Sequence, residues 1–171
     1  MIRLHRTDTW AQVLPPLAGH ALTVTAIRFS PDDRYILSAS RDRSWQLFER
    51  QDAMQDGMAY VRVASASKAH ARIIWDCCWS LDGDMFATAA RDKTVKVWRA
   101  QQAEDGAATA AWQCIATLQL SDAATAVSFT ELDGRYVASS RARHRYFLTR
   151  LLRAQAYPSG WDRSRAYRAL R

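Results

Sequence analysis

HARIIWDCCWSLDGDMFATAARDKTVKVW, residues 70–98, lies over HALTVTAIRFSPDDRYILSASRDRSWQLF, residues 20–48, without a gap at an offset of 50. His20 falls on His70, Phe29 on Trp79, Asp42 on Asp92 and Phe48 on Trp98. Self-similarity at a fixed period decides the architecture, because each copy is a unit that buries its apolar face only against its neighbours. Each copy reads as an apolar run, a tight turn, a second run, Arg-Asp and a third run. A fourth run follows a polar loop. The short alternating runs between turn residues predict antiparallel strands and an all-β fold.

In the first copy the strands are expected at TVTAIRF (23–29), YILSAS (35–40), SWQLF (44–48) and YVRVA (60–64), with SPDD (30–33) as a turn and RQDAMQDGMA (50–59) as a loop. The second repeats this as IIWDCCW (73–79), the Asp82-Gly83 turn, MFATAA (85–90), the Arg91-Asp92 turn, TVKVW (94–98), the loop QQAEDGAATA (101–110) and WQCIATL (112–118). On the N-terminal side, IRLH (2–5) and WAQVL (10–14) occupy the places of a third and fourth strand. Pro15-Pro16 is expected to end that pairing, since proline donates nothing to a ladder. On the C-terminal side a third unit opens with TAVSF (125–129), Asp133-Gly134 and RYVASS (135–140). The pattern then stops. Residues 141–171 read as a basic tail, irregular or aberrant in sequence, with LTRLLRAQ (148–155) as a short basic helix.

Charge supports this division. The formal net charge is +7, yet residues 141–171 hold nine Arg and one Asp, while residues 1–140 hold 15 basic and 16 acidic side chains. The repeat-bearing body is near neutral, so the overall basicity is poor support for nucleic-acid binding by the folded part. No apolar run reaches a membrane span; even IIWDCCW is interrupted by Asp76. The N-terminus MIRLHRTDTW has no apolar signal core. Three cysteines, two adjacent, make neither a disulfide framework nor a zinc spacing. Cys77 and Cys78 are expected on opposite faces of one strand, one of them in the core. An intracellular setting, cytoplasmic and nuclear, is the expectation. No phosphate-binding loop or spaced metal-ligand cluster appears, so no cofactor, metal or small-molecule substrate is expected.

Gly19-His20, about two dozen residues, Asp42, then Phe or Trp resembles the WD-repeat pattern of β-propeller blades. The Asp that closes that pattern is absent: Glu49 follows Phe48 and Arg99 follows Trp98. The finer wording of residues 1–136 resembles the late blades of the Elongator complex protein 2 family, a subunit of the complex that modifies wobble uridines of tRNA. The resemblance implies an incomplete WD-repeat propeller over residues 1–140. Its repeats are at about 18–49 and 68–99, and its partial units at 1–16 and 120–140. Propellers close with about four to eight blades. The chain is therefore expected to be a fragment, a truncated reading of a gene or one part of an assembly, with open strand edges at its ends.

In such blades a His, a Ser or Thr, an Asp and a Trp form a hydrogen-bonded chain. The second copy has His70, Thr88, Asp92 and Trp98. The first has His20, Ser38 and Asp42, and Phe48 in place of Trp leaves it one donor short. Thr88, His70 and Asp92 also have the chemistry of a nucleophilic triad, but a set that recurs in register with the strands reads as structural. The residues expected on the narrow upper face are Thr23, Thr25 and Arg41 on one blade and Ile73, Trp75 and Arg91 on the next. A Trp beside an Arg suits a protein-binding hot spot. The competing expectation is that Trp75 packs between blades. Function follows as an expectation: a non-catalytic scaffold whose partners are other Elongator subunits, with an indirect association with tRNA and no membrane. The alternatives are another WD-repeat adaptor, such as a ubiquitin-ligase or transport scaffold, and a protein that binds RNA through its basic tail.

Overall fold

A computed structural model describes residues 1–51, 59–101, 111–132, 135–142 and 145–150. Every regular element among them is a strand. β1 (Ile2–His5) and β2 (Gln12–Leu17) form a two-stranded sheet. β3 (Val24–Phe29), β4 (Tyr35–Ser40), β5 (Trp45–Gln51) and β6 (Ala59–Ala66) form the first complete blade, ordered as in the chain. β7 (Ile74–Trp79), β8 (Met85–Ala90), β9 (Thr94–Ala100) and β10 (Trp112–Gln119) form the second. β11 (Ala126–Leu132), β12 (Arg135–Ala142) and β13 (Arg145–Arg150) form a three-stranded sheet. All pairings are antiparallel.

The repeat is visible in the register as well as in the order. A bulge separates Val24 from Ala26 in β3, and another separates Ile74 from Asp76 at the same place in β7. An extra residue bends a strand and increases its twist, which suits the strongly twisted sheet of a blade. The β3–β4 and β7–β8 turns close alike, with Ser30 N–H donating to Tyr35 C=O at 2.8 Å and Ser80 N–H to Met85 C=O at 2.9 Å. Their left-handed positions are filled by Asp33 and Gly83, residue types that tolerate positive φ.

Strand composition follows position. β8 (MFATAA) is buried at every residue, because both of its faces are covered by neighbouring sheets. β10 (WQCIATLQ), at the outer edge, alternates half-buried and exposed residues with period 2. β3, β7 and β11 run side by side on the inside. They are tied by one carboxylate: Asp76 pairs with Arg28 at 2.9 Å and accepts from Val127 N–H at 3.1 Å.

Among the described residues, three apolar clusters lie between the sheets. Ile2 and Leu17 of the β1–β2 pair pack on Ile36 and Phe48. Leu37, Trp45 and Leu47 of the first blade pack on Ile74, Cys77, Trp79, Phe86 and Trp98 of the second. Met85, Val95 and Val97 pack on Leu120, Ala124 and Val127. Cys77 is buried in the middle cluster and Cys78 packs on the opposite one, as alternation along β7 requires. Burial pushes both thiols up, Cys78 to about 12.

Phe86 sits at the centre of an aromatic group. Its ring lies 5.0 Å from both Trp45 and Trp112, 5.5 Å from Trp79 and 6.2 Å from Trp98. The first blade lacks such a cover on its other side. Phe29 is 51% exposed, whereas Trp79 at the same register is 8% exposed. The reason is that β1–β2 covers only the outer half of that face.

Two expectations need correction. Pro15 and Pro16 do not end the first pairing; they lie inside β2, at an irregularity where Leu4 pairs with Val13 and Ile2 with Leu17. The prolines fall in the extra residues that oppose Arg3, where no ladder donor is required. The third unit also continues past Ser140. β12 runs to Ala142, and β13 (RYFLTR) pairs with it, so Leu148–Arg150 is strand where a helix was expected. Aromatic and β-branched residues favour a pleated partner when one is adjacent. The remainder of that helix, residues 151–155, lies outside the described residues. So do the Asp133-Gly134 turn, most of both polar loops and the tail from residue 151.

Candidate functional site

The upper end of the blades carries the β4–β5 and β8–β9 turns and the connections into β3, β7 and β11. Two polar sets lie beneath it. In the second blade the Trp98 indole N–H donates to Thr88 Oγ1 at 2.9 Å, and Thr88 Oγ1 lies 2.8 Å from His70 Nε2. His70 Nδ1 lies 3.1 Å from Asp92 Oδ2. The carboxylate beside Nδ1 accepts only, so Nδ1 carries the proton and Nε2 accepts from the Thr88 hydroxyl. Every member is satisfied, and the chain joins the third strand, the second strand, the entering loop and the turn.

The first blade has the same geometry with one bond fewer. His20 Nε2 lies 2.9 Å from Ser38 Oγ and His20 Nδ1 lies 3.0 Å from Asp42 Oδ2. Phe48 is buried at the Trp98 position and has no hydrogen to give. Two participants are not among the residues singled out by the spacing. Ser44 and Thr94 hydroxyls donate to Asp42 and Asp92 and also approach the imidazoles. Their signal is in the sequence as RDRS and RDKT, an Asp followed two residues later by a hydroxyl, which closes an Asx-type turn.

Burial opposes ionisation of Asp42, but hydrogen bonds from Ser44, the Ala21 N–H and His20 outweigh it and bring the carboxyl down to about 2. Asp92 is held below the usual carboxylate range in the same way, Thr94 and Ala71 N–H offsetting the burial. Burial lowers the pKa of His70 against the opposing pull of Asp92. An imidazole with a depressed pKa leaves the unfolded chain binding more protons below pH 6.5, so stability falls as pH drops through the range between the two pKa values. The urea midpoint of the chain is expected to fall between neutral pH and about pH 5, and this part of the fall is expected to disappear in His70→Gln. A midpoint flat over that range in the wild type contradicts the neutral, buried imidazole.

Gly19 precedes His20 with φ +136°, and a Cβ there meets Gln46 Oε1 at 2.5 Å and Arg62 Nη1 at 2.6 Å. The other copy has Ala69 at this place. Gly19→Ala is expected to cost about 2 kcal/mol in urea denaturation, from strain and from displacing those side chains; an unchanged midpoint means that the loop adjusts freely.

Thr88, His70 and Asp92 are spaced as a triad is, but Thr88 has no exposed surface and its oxygen is occupied by Trp98. The same arrangement recurs at Ser38, His20 and Asp42. The groups hold the blade together rather than face a substrate. Among the described residues no group of His, Cys, Asp or Glu is placed to hold a metal ion.

The rim residues divide. Arg41 and Arg91 are exposed, and their backbone N–H groups donate to Thr23 and Ile73 carbonyls, each at 2.9 Å. Thr23 is exposed and Ile73 half-buried. Trp75 is 38% exposed. Thr25, expected on the rim, points instead across the gap between blades: its hydroxyl donates to Ile74 C=O at 2.7 Å. A small hydroxyl at that position reaches a backbone carbonyl, whereas the indole that replaces it in the second blade is partly exposed.

The WD domain, G-beta repeat family matches residues 11–49 and 62–99. Elongator complex protein 2 from Schizosaccharomyces pombe is 50% identical over 132 residues, 75% of this chain and 16% of that protein. The Saccharomyces cerevisiae protein of the same name is 46% identical over 104 residues, 60% of this chain and 13% of the relative. The human one is 38% identical over 133 residues, 74% and 16%. The chain thus spans about one sixth of the length of these relatives. A crystal structure of RRP9 WD40 repeats superposes with a TM-score of 0.53 at 25% identity, covering 72% of this chain and 34% of that one. Repeats, sheet order and relatives agree: the chain is an incomplete WD-repeat β-propeller that resembles a stretch of Elongator complex protein 2.

Proposed function

We propose that the chain acts as a non-catalytic scaffold of the Elongator complex, supporting modification of tRNA wobble uridines through contacts with other Elongator subunits. The identity to Elongator complex protein 2 across both complete blades carries this reading. The site chemistry agrees with it. The His, Asp and hydroxyl groups of the two polar sets are consumed in holding strands together, and the exposed rim above them is a surface for contact. Trp75 and Arg91, brought to the same edge by the Arg91–Ile73 backbone bond, combine an aromatic plate with a cation, the pair most enriched at interaction hot spots. On this reading the contact would be made in the cytoplasm and nucleus, and the association with tRNA would run through the partner. Co-purification on a tagged chain tests this. Recovery of the catalytic Elongator subunit is the expected result. Recovery of a ubiquitin-ligase or transport assembly in its place assigns the propeller to a different partner.

A further inference from the structure

The two complete blades turn the same face toward the sheet that precedes them, and the offset of 50 pairs the residues of that face one to one. In the second blade it is Ile74, Cys77, Trp79, Phe86 and Trp98, all buried in one cluster with the first blade. In the first it is Val24, Ile27, Phe29, Ile36 and Phe48. Val24, Ile36 and Phe48 pack with Ile2 and Leu17 of the β1–β2 sheet. Ile27 and Phe29 stand apart from that cluster. Ile27 is 37% exposed where its counterpart Cys77 is wholly buried, and the ring against Phe29 is Tyr60 of its own blade, edge-on at 6.4 Å.

The second blade shows what covers such a face. On the first-blade side, β3 and β4 lie against β7. The Tyr35 ring stacks on Trp79 at 6.2 Å, and Leu37 and Ala39, on the same side of β4, join the cluster that encloses Cys77. Next to them Trp45, at the start of β5, lies on Phe86 and Trp98 at 5.0 and 5.3 Å. Ile2, at the start of β1, packs on their counterparts Ile36 and Phe48. β1 therefore stands where β5 stands. β5 pairs with β4 on one edge and β6 on the other, whereas among the described residues β1 pairs with β2 alone. An unpaired ladder edge beside an uncovered apolar strip is a template for a further strand.

We infer that this strip takes an extended segment of a partner protein, added to the free edge of β1 as an antiparallel strand over Ile27 and Phe29. The chemistry of the segment follows from β4. An aromatic ring at the place of Tyr35 stacks on Phe29. An aliphatic side chain at the place of Leu37 and a small one at the place of Ala39 close over Ile27. A helix does not fit the same role, because its N–H and C=O groups are bonded internally and leave nothing for the edge of β1. A second copy of the chain does not supply the strand either: β4, β8 and β12 each pair on both edges already. The site is separate from Trp75 and Arg91 at the upper end, and the inference does not rest on the identity of the partner bound there.

The test uses the full chain and a fluorescent peptide of residues 33–41, DRYILSASR, which carries the β4 pattern. Fluorescence anisotropy is expected to show saturable binding to the wild type. Affinity is expected to fall about tenfold or more in the variant with Ile27→Asp and Phe29→Asp, and equally for a peptide N-methylated at each amide from Arg34 to Ser40, which keeps the side chains and removes the ladder donors. The thermal midpoint of the variant is expected to stay near that of the wild type, since both side chains are exposed; the methylated peptide keeps the test decisive if that variant unfolds. A variant with Trp75→Ala and Arg91→Ala is expected to bind the peptide as the wild type does, which separates this outcome from that of the protein-contact reading. No binding of the peptide, or undiminished binding after N-methylation, overturns strand addition. Undiminished binding to the folded Ile27→Asp, Phe29→Asp variant overturns the assignment to this face. Self-association in light scattering that the same variant abolishes also overturns it and gives the face to a second copy.

Discussion

Asp92→Ala is expected to destabilise the chain by about 3–4 kcal/mol, the larger of the losses in the polar sets. Asp92 accepts from Ala71 N–H at 2.9 Å, Thr94 N–H at 3.1 Å and the Thr94 hydroxyl at 2.6 Å, and lies 3.1 Å from His70 Nδ1. His70 has no exposed side-chain surface, so its proton cannot turn to water when the carboxylate is removed. An unpaired buried donor costs more than the mean worth of a bond. The turn amides lose their acceptor in the same step. Ser38→Ala in the first blade is expected to cost only about 1–2 kcal/mol, because Phe48 already leaves that chain without its terminal donor. Urea denaturation of the two variants compares them directly. Equal midpoints contradict the claim that the second blade has the more complete network.

The second large effect is in the apolar layer. Phe86→Ala is expected to cost about 3–5 kcal/mol, since its ring is fully buried against four tryptophans that cannot all collapse into the space left behind. Phe29→Ala is expected to cost less than about 1 kcal/mol, because half of that side chain is in water already. The two replacements remove the same atoms. One ring comes from a fully covered position on a second strand and the other from a half-exposed position on a first strand, so the difference in loss follows the difference in burial. Similar losses at Phe86 and Phe29 contradict the packing described for the open face.

The repeat made much of this legible. YILSAS and MFATAA coincide with β4 and β8, because second strands are bounded by turns on both sides and cannot extend. TVKVW and SWQLF fall short of β9 and β5, which continue through Ala100 and Gln51 because an outer strand lies alongside to pair with. β13 was hidden for the same reason: RYFLTR lacks the Arg-Asp signature, and only the adjacent edge of β12 shows that it pairs. His20, Ser38, Asp42, His70, Thr88, Asp92 and Trp98 come together as their spacing indicates, since each has a fixed place in the repeat. Thr25 does not stay on the rim because its direction depends on the neighbouring blade, which no local pattern contains.

The claim that matters most for function is that the buried His and Asp maintain the blade while the rim makes the contact. Affinity for the purified Elongator catalytic subunit, measured with the wild type and with Trp75→Ala combined with Arg91→Ala, addresses it directly. A folded double variant with a midpoint near that of the wild type and at least tenfold weaker binding is the expected result. Wild-type affinity in that folded variant contradicts the account and removes the rim as the site of contact.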